Sequence, residues 1–126
     1  MKLLVVDDSN LIRTRISTVG ASGQMKGLLE VIGSARDGLE AVRMAAKYRP
    51  EVVTMDLTMP GMDGVATIGA LMKMQPAPSI LVVSALNDKS TAIAALRLGA
   101  QGFLTKPFTD DELRLALFEL LDIPSE

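Results

Sequence analysis

Asp7 with Asp8, Asp56, Ser84 and Lys106 each stand where a short apolar run of the chain ends. Such runs read as strands buried on both faces, and parallel strands of one sheet share a C-terminal edge. Three carboxylates, a hydroxyl and an ammonium would then converge on one pocket. Carboxylates held that close repel each other, so without a cation at least one should keep its proton more tightly than usual. A divalent cation removes the conflict. The chain has no histidine and no cysteine, and a donor set made of oxygen alone favours magnesium, which keeps waters and accepts phosphate oxygens. The pocket suits a hard cation and a phosphoryl group. Taken singly, these residues have plainer readings: Asp7-Asp8 a turn, Asp56 a cap, Ser84 a strand-end serine bonded to the next turn. Their joint placement at strand ends favours chemistry.

The elements that must position them alternate. Apolar runs at Leu3–Val6, Leu29–Ser34, Val52–Met55, Ile80–Val83 and Gly102–Thr105 predict five strands. Between them lie helix-start signals. Ser9 caps a helix carrying Leu11, Ile12, Ile16 and Val19. Asp37 with Glu40 forms a capping box for Gly38–Tyr48, and Thr109 with Glu112 another before Leu113–Leu121. Asp63 caps Gly64–Met74, and Asn87 or Asp88 caps Lys89–Leu98. Gly99 and Gly102 read as helix stop and turn. Gly20, Gly23 and Gly27 break the pattern between the first helix and the second strand, as a loop or frayed helix end would. Strand–helix alternation of this kind predicts an α/β fold, doubly wound, with a five-stranded parallel sheet covered on both faces.

Composition narrows the function. Apolar residues make up 48% of 126 residues, enough for one sizeable core. Tyr48, Phe103, Phe108 and Phe118 are the only aromatics, so that core is aliphatic. The Met-rich stretch Met55, Met59, Met62, Met72 and Met74 reads as core filler and loop packing. A net charge of −2 gives no reason to expect nucleic acid as a partner. Absence of histidine removes imidazole acid–base catalysis, and absence of cysteine removes thiol chemistry. The start, Met1 to Asp8, meets acid after four apolar residues, too short for a signal sequence or a membrane span. The expected location is the cytoplasm. Residues 1–126 are expected to form one domain, and the tail Ile123-Pro124-Ser125-Glu126 leaves no room for an output domain.

Four stretches together resemble the receiver domain of two-component response regulators, and single-domain chemotaxis-type receivers in particular. They are Val6-Asp7-Asp8-Ser9, Asp56-Leu57-Thr58-Met59-Pro60-Gly61-Met62-Asp63-Gly64, Val83-Ser84-Ala85 and Lys106-Pro107-Phe108. The resemblance runs in order over essentially the whole chain. It implies a flavodoxin-like sheet of order 2-1-3-4-5 with five helices. It implies that Asp56 attacks a phosphohistidine, on a sensor histidine kinase or a histidine phosphotransfer protein, and becomes an acyl phosphate. Asp8, Asp56 and the backbone carbonyl of Thr58 would hold Mg2+, and Asp7 would act through a metal-bound water. Lys106 would pair with Asp56 and then with a phosphoryl oxygen, and the Lys106-Pro107 bond resembles the family's cis peptide. Ser84 would donate to the phosphoryl group, and Phe103 stands where the family has its aromatic switch. Phosphoryl transfer needs positioning and charge neutralisation more than covalent help, so these roles suit the residue types.

The resemblance also implies an output face on the fourth helix, fifth strand and fifth helix. On the last helix Leu113, Ala116, Leu117 and Leu120 form a core stripe, and Leu115 and Phe118 fall off it. That pair is expected to mark a surface for an unidentified target or for dimerisation. Thr58 and Leu86 depart from fast-cycling members of the family. Leu86 cannot orient a hydrolytic water, so slow loss of the phosphoryl group is expected. A chemotaxis regulator, a phosphorelay shuttle and a phosphate sink are the pathway alternatives. A haloacid-dehalogenase-like phosphatase fits less well, since Thr58 stands where that pattern wants a second acid. A dinucleotide-binding domain is poorer still, because the turn Asp7-Asp8-Ser9-Asn10 has two negative charges and no glycine.

Overall fold

The computed structural model describes residues 1–23, 27–57, 64–85 and 89–121. The chain alternates strictly: β1 (Lys2–Val6), α1 (Asn10–Gly20), β2 (Glu30–Ala35), α2 (Gly38–Tyr48), β3 (Val52–Asp56), α3 (Gly64–Met72), β4 (Ser79–Ala85), α4 (Lys89–Leu98), β5 (Gly102–Lys106) and α5 (Asp110–Leu120). The five strands form one parallel sheet in the order β2-β1-β3-β4-β5. The expected flavodoxin-like architecture is therefore the observed one. Every residue of β3, all of β1 after Lys2 and all but the two ends of β4 are buried, as continuous apolar strands in a parallel sheet require.

Two cores cover the two faces. Leu4, Val6, Val53, Met55, Ile80 and Val82 pack with Ala41 and Ala45 of α2, Ile68 and Leu71 of α3, and Ala92 and Ala95 of α4. On the other face Leu3, Val5, Val52, Leu81, Val83 and Leu104 pack with Ile16 and Val19 of α1 and Leu113, Leu117 and Phe118 of α5. Met55 is fully buried and Met72 and Met74 pack on the first core, which fits the reading of methionine as filler. Met59 and Met62 lie outside the described residues. No helix among the described residues is long and apolar enough to cross a membrane.

Helix starts follow the sequence signals with one difference. The Ser9 hydroxyl accepts from the Ile12 N–H, and Thr109 with Glu112 closes a full capping box. Asp37 accepts from the Glu40 N–H at 2.8 Å, but Glu40 turns back past Asp37 to accept from the Arg36 N–H. Asp63, Asn87 and Asp88 lie outside the described residues. Gly99 ends α4 with φ +120°, a conformation that favours glycine. Gly102, read both as a turn residue and as the start of the fifth run, is the first residue of β5; a Cβ there would sit 3.0 Å from the Leu81 side chain.

Phe118 is a correction. It is 5% exposed and belongs to the second core. α5 packs against α1 as well as against β4 and β5, so its buried arc is wider than a single stripe. Leu115, three residues earlier, is exposed as expected.

Candidate functional site

The chain passes from β1 outward to β2 and then back to β3 on the other side. Ligands of open α/β sheets bind beyond the carboxyl ends of the strands at such a reversal. Asp7 and Asp8 follow β1, and Asp56 is the last residue of β3. One carboxylate oxygen from each lies within 4.8 Å of the others. Asp7 and Asp56 are buried, and Asp8 is exposed. Lys106 reaches them from the far edge. At about 4.8 Å per strand its backbone stands roughly 14 Å from that of β1, yet its Nζ lies 2.9 Å from Asp7 Oδ2 and 3.6 Å from Asp56 Oδ2.

Strand alternation explains who meets whom. Residues two apart share a face. Leu3 and Val5, Val52, and Leu104 all belong to the core under α1 and α5, so Asp7, Asp56 and Lys106 emerge on that side. Ser84 shares a face with Ile80 and Val82 of the other core. It is fully buried, and its Oγ donates to the Ala85 carbonyl at 3.2 Å. Ser84 thus shares the edge with the acids but leaves β4 on the opposite face, bonded locally as a strand-end serine would be. Thr58 and Leu86 lie outside the described residues. Lys106-Pro107 is a cis peptide, matching the resemblance. Phe103, on the Ser84 side of β5, is 40% exposed; with Ala92, Ile93 and Leu96 of α4 it lines an apolar pocket of about 240 Å³.

Asp7 is held through both its side chain and its backbone. Its Oδ1 accepts from the Ser9 N–H and its Oδ2 from Lys106, both at 2.9 Å. Its own N–H donates to the Ala35 carbonyl, and Arg13 donates to its carbonyl oxygen. Burial raises its pKa, Lys106 and the Ser9 N–H oppose the rise, and the Asp56 charge adds to it. A carboxyl that holds its proton more tightly when folded destabilises the fold as pH climbs from its ordinary value, 3.8, through the raised one. Above that window the loss is complete. Asp7→Asn should therefore raise the melting temperature of the metal-free protein at pH 7, and the gain should shrink toward acid pH. Thermal melts in EDTA across pH check this; a gain that is the same at every pH counts against it.

Three carboxylates on one edge, two of them buried, fit a hard divalent cation, and the chain offers no nitrogen or sulfur side-chain ligand of the histidine or cysteine type. A family model described as the response regulator receiver domain matches residues 3–118. The chain belongs to the response-regulator receiver family. It is 35% identical over 117 residues to the chemotaxis protein CheY of Listeria monocytogenes, an alignment covering 93% of this chain and 95% of that one. It is 48% identical over 109 residues to a protein-glutamate methylesterase/protein-glutamine glutaminase of Methanococcoides burtonii, covering 85% of this chain but only 30% of that longer protein. It also superposes with a TM-score of 0.84 and 25% identity on a chain of the CheX–CheY–BeF3–Mg2+ complex from Borrelia burgdorferi, covering 96% of this chain and 89% of that one.

Two contributors to this receiver's site carry weaker sequence signals. Gly64 opens α3 against the exit of β3. A Cβ there would stand 2.8 Å from Leu57 Cα and 3.2 Å from the Asp56 carbonyl oxygen, both backbone atoms that cannot give way. The Asp63-Gly64 pair is the only hint in the sequence. Arg13 bridges the Asp7 carbonyl and the Asn10 side chain, which sets the turn carrying Asp7 and Asp8. An arginine in the first turns of a helix carries no signal for that role.

Proposed function

We propose that this receiver accepts a phosphoryl group from a phosphohistidine onto Asp56 in a magnesium-dependent reaction, and that the acyl phosphate changes a protein-binding face. The observation that carries the reading is the Asp7, Asp8 and Asp56 cluster with the Lys106 ammonium 2.9 and 3.6 Å from two of its members. An Asp56 oxygen attacks phosphorus, the P–N bond breaks, and the imidazole leaves with the electron pair. Asp8, Asp56 and the Thr58 carbonyl would hold magnesium directly in this reading, and Asp7 would reach it through water. Bound magnesium supplies positive charge to offset the carboxylates and the incoming phosphoryl oxygens. Lys106 moves from the carboxylates to a phosphoryl oxygen. Ser84 exchanges its bond to the Ala85 carbonyl for one to the phosphoryl group.

On this reading the protein is a cytoplasmic signalling module and not a turnover enzyme. The relative bound to CheX with BeF3 and Mg2+ supports a partner face that responds to the site. Phe103 and the apolar pocket beside α4 are the components of that face best placed to respond, and Leu115 on α5 is exposed as well. The CheY relative, aligned over nearly its whole length, favours a stand-alone regulator. The alternatives are a phosphorelay shuttle or a phosphate sink. Incubation with acetyl phosphate and magnesium should give a single phosphoryl adduct by intact mass, lost in EDTA and cleaved by hydroxylamine. An adduct that forms equally well in EDTA, or none at all, sinks the reading.

A further inference from the structure

We propose that Arg15 is a positioning residue for Lys106, clamping the turn that leads out of β5. The proposal rests on the phosphoryl-accepting reading of Asp56 and Lys106. Arg15 stands on α1, and one guanidinium takes three groups from one short stretch of chain. Its Nε donates to Asp110 Oδ1 at 2.9 Å, its second terminal nitrogen donates to the Phe108 carbonyl, and its carbon lies 4.7 Å from the centre of the Phe108 ring. Those partners lie 93 and 95 residues away along the chain.

Lys106 needs such help. It ends an edge strand, so the ladder holds it from one side only, through Ala85 of β4. Pro107 next to it has no N–H to donate. Residues 107–109 then connect to α5, whose first residue is Asp110. The ammonium sits at the end of a flexible stem and must keep contact with two carboxylates across the sheet. A shift of about 1 Å in the root of that stem is enough to cost on the order of a hundredfold in a positioned reaction.

An exposed arginine–aspartate pair alone does little, and the side chain of Arg15 is 36% exposed. The combination differs from such a pair. A planar fork can satisfy a carbonyl and a carboxylate together while lying over a ring, and a lysine cannot do all three. Phe108 is itself 4% exposed in the core shared by α1 and α5, so packing anchors its ring and Arg15 ties its carbonyl to α1. α1 is also the helix that starts just after Asp7 and Asp8. Arg15 therefore joins the element that leaves the acids to the turn that leaves the lysine.

The test compares wild type, Arg15→Ala, Arg15→Lys, Lys106→Met and Lys106→Met with Arg15→Ala, using acetyl phosphate at saturating magnesium. Arg15→Ala should slow adduct formation about tenfold, Arg15→Lys should not restore it, and magnesium affinity by calorimetry should stay within about twofold. In the Lys106→Met background Arg15→Ala should have no further effect, because the two residues act through one group. An equal slowing in both backgrounds, or full activity of Arg15→Lys, overturns the proposal. The Lys106 Nζ resonance in nitrogen-15 spectra of the metal-free protein gives a readout independent of phosphorylation. It should move toward the position of exposed lysines in Arg15→Ala, and an unmoved signal overturns the clamp. If wild type takes no phosphoryl group, the reading of the site fails, and that resonance still decides the clamp.

Discussion

Asp56→Asn is expected to abolish the phosphoryl adduct, with labelling by acetyl phosphate falling at least about a hundredfold, as loss of a nucleophile does. Three carboxylates share the edge, and the geometry separates them. Both oxygens of Asp7 already accept bonds at 2.9 Å, one from Ser9 and one from Lys106. An attacking oxygen of Asp7 would have to give up one of them in a buried site. Asp8 is exposed and has no ion pair to Lys106 among the described residues. Asp56 is buried at the end of the central strand β3, with Lys106 at 3.6 Å, close enough for the ammonium to steer an incoming phosphoryl group. The asparagine keeps the shape and removes one of three crowded negative charges, so the variant should fold at least as stably as wild type without metal. Intact mass and thermal melts on the same samples check both halves. Substantial adduct on a well-folded Asp56→Asn protein would place the chemistry on Asp7 or Asp8 instead.

What could be read from the sequence follows from how the parts are encoded. A parallel sheet maps strand ends to one edge, so Asp7, Asp8, Asp56 and Lys106 could be brought together from the ends of their apolar runs alone. The same rule placed Ser84 on the edge but not on a face. Its face depends on counting residues from Ile80 and Val82, and that parity puts it opposite Asp56. Phe118 was misread because one helical stripe assumes one neighbour, whereas α5 buries itself against both the sheet and α1. Capping signals are local, and Ser9, Asp37 and Thr109 act where the sequence placed them. Arg15 is the opposite case. Nothing within a few residues of it marks its function, because both its polar partners come from the other end of the chain. Gly64 is intermediate: a glycine after an aspartate marks a turn, but only the fold shows that backbone fills the space a side chain would need.

Lys106→Met should separate stability from chemistry. In the metal-free protein the ammonium is the cation bound to Asp7 and Asp56. Removing one partner of a buried pair costs about 3–5 kcal/mol when the pair is sealed from water. The Lys106 side chain is 23% exposed, so solvent screens part of the loss, and a destabilisation of about 1–2 kcal/mol is the reasonable expectation. Protonation of Asp7, whose pKa burial already raises, limits the damage further at mildly acidic pH. Saturating magnesium should then bring the variant back close to wild-type stability, because a cation at the three acids offsets the same negative charge the ammonium did. The rate of phosphorylation should not follow. A positioned donor aimed at developing phosphoryl charge is worth about 10²–10³-fold, and a metal held by the acids does not replace a group that arrives from β5. Melts and labelling rates measured across a magnesium titration would show the two curves parting. If magnesium restored the rate along with the stability, Lys106 would be a counter-charge for the acids and nothing more.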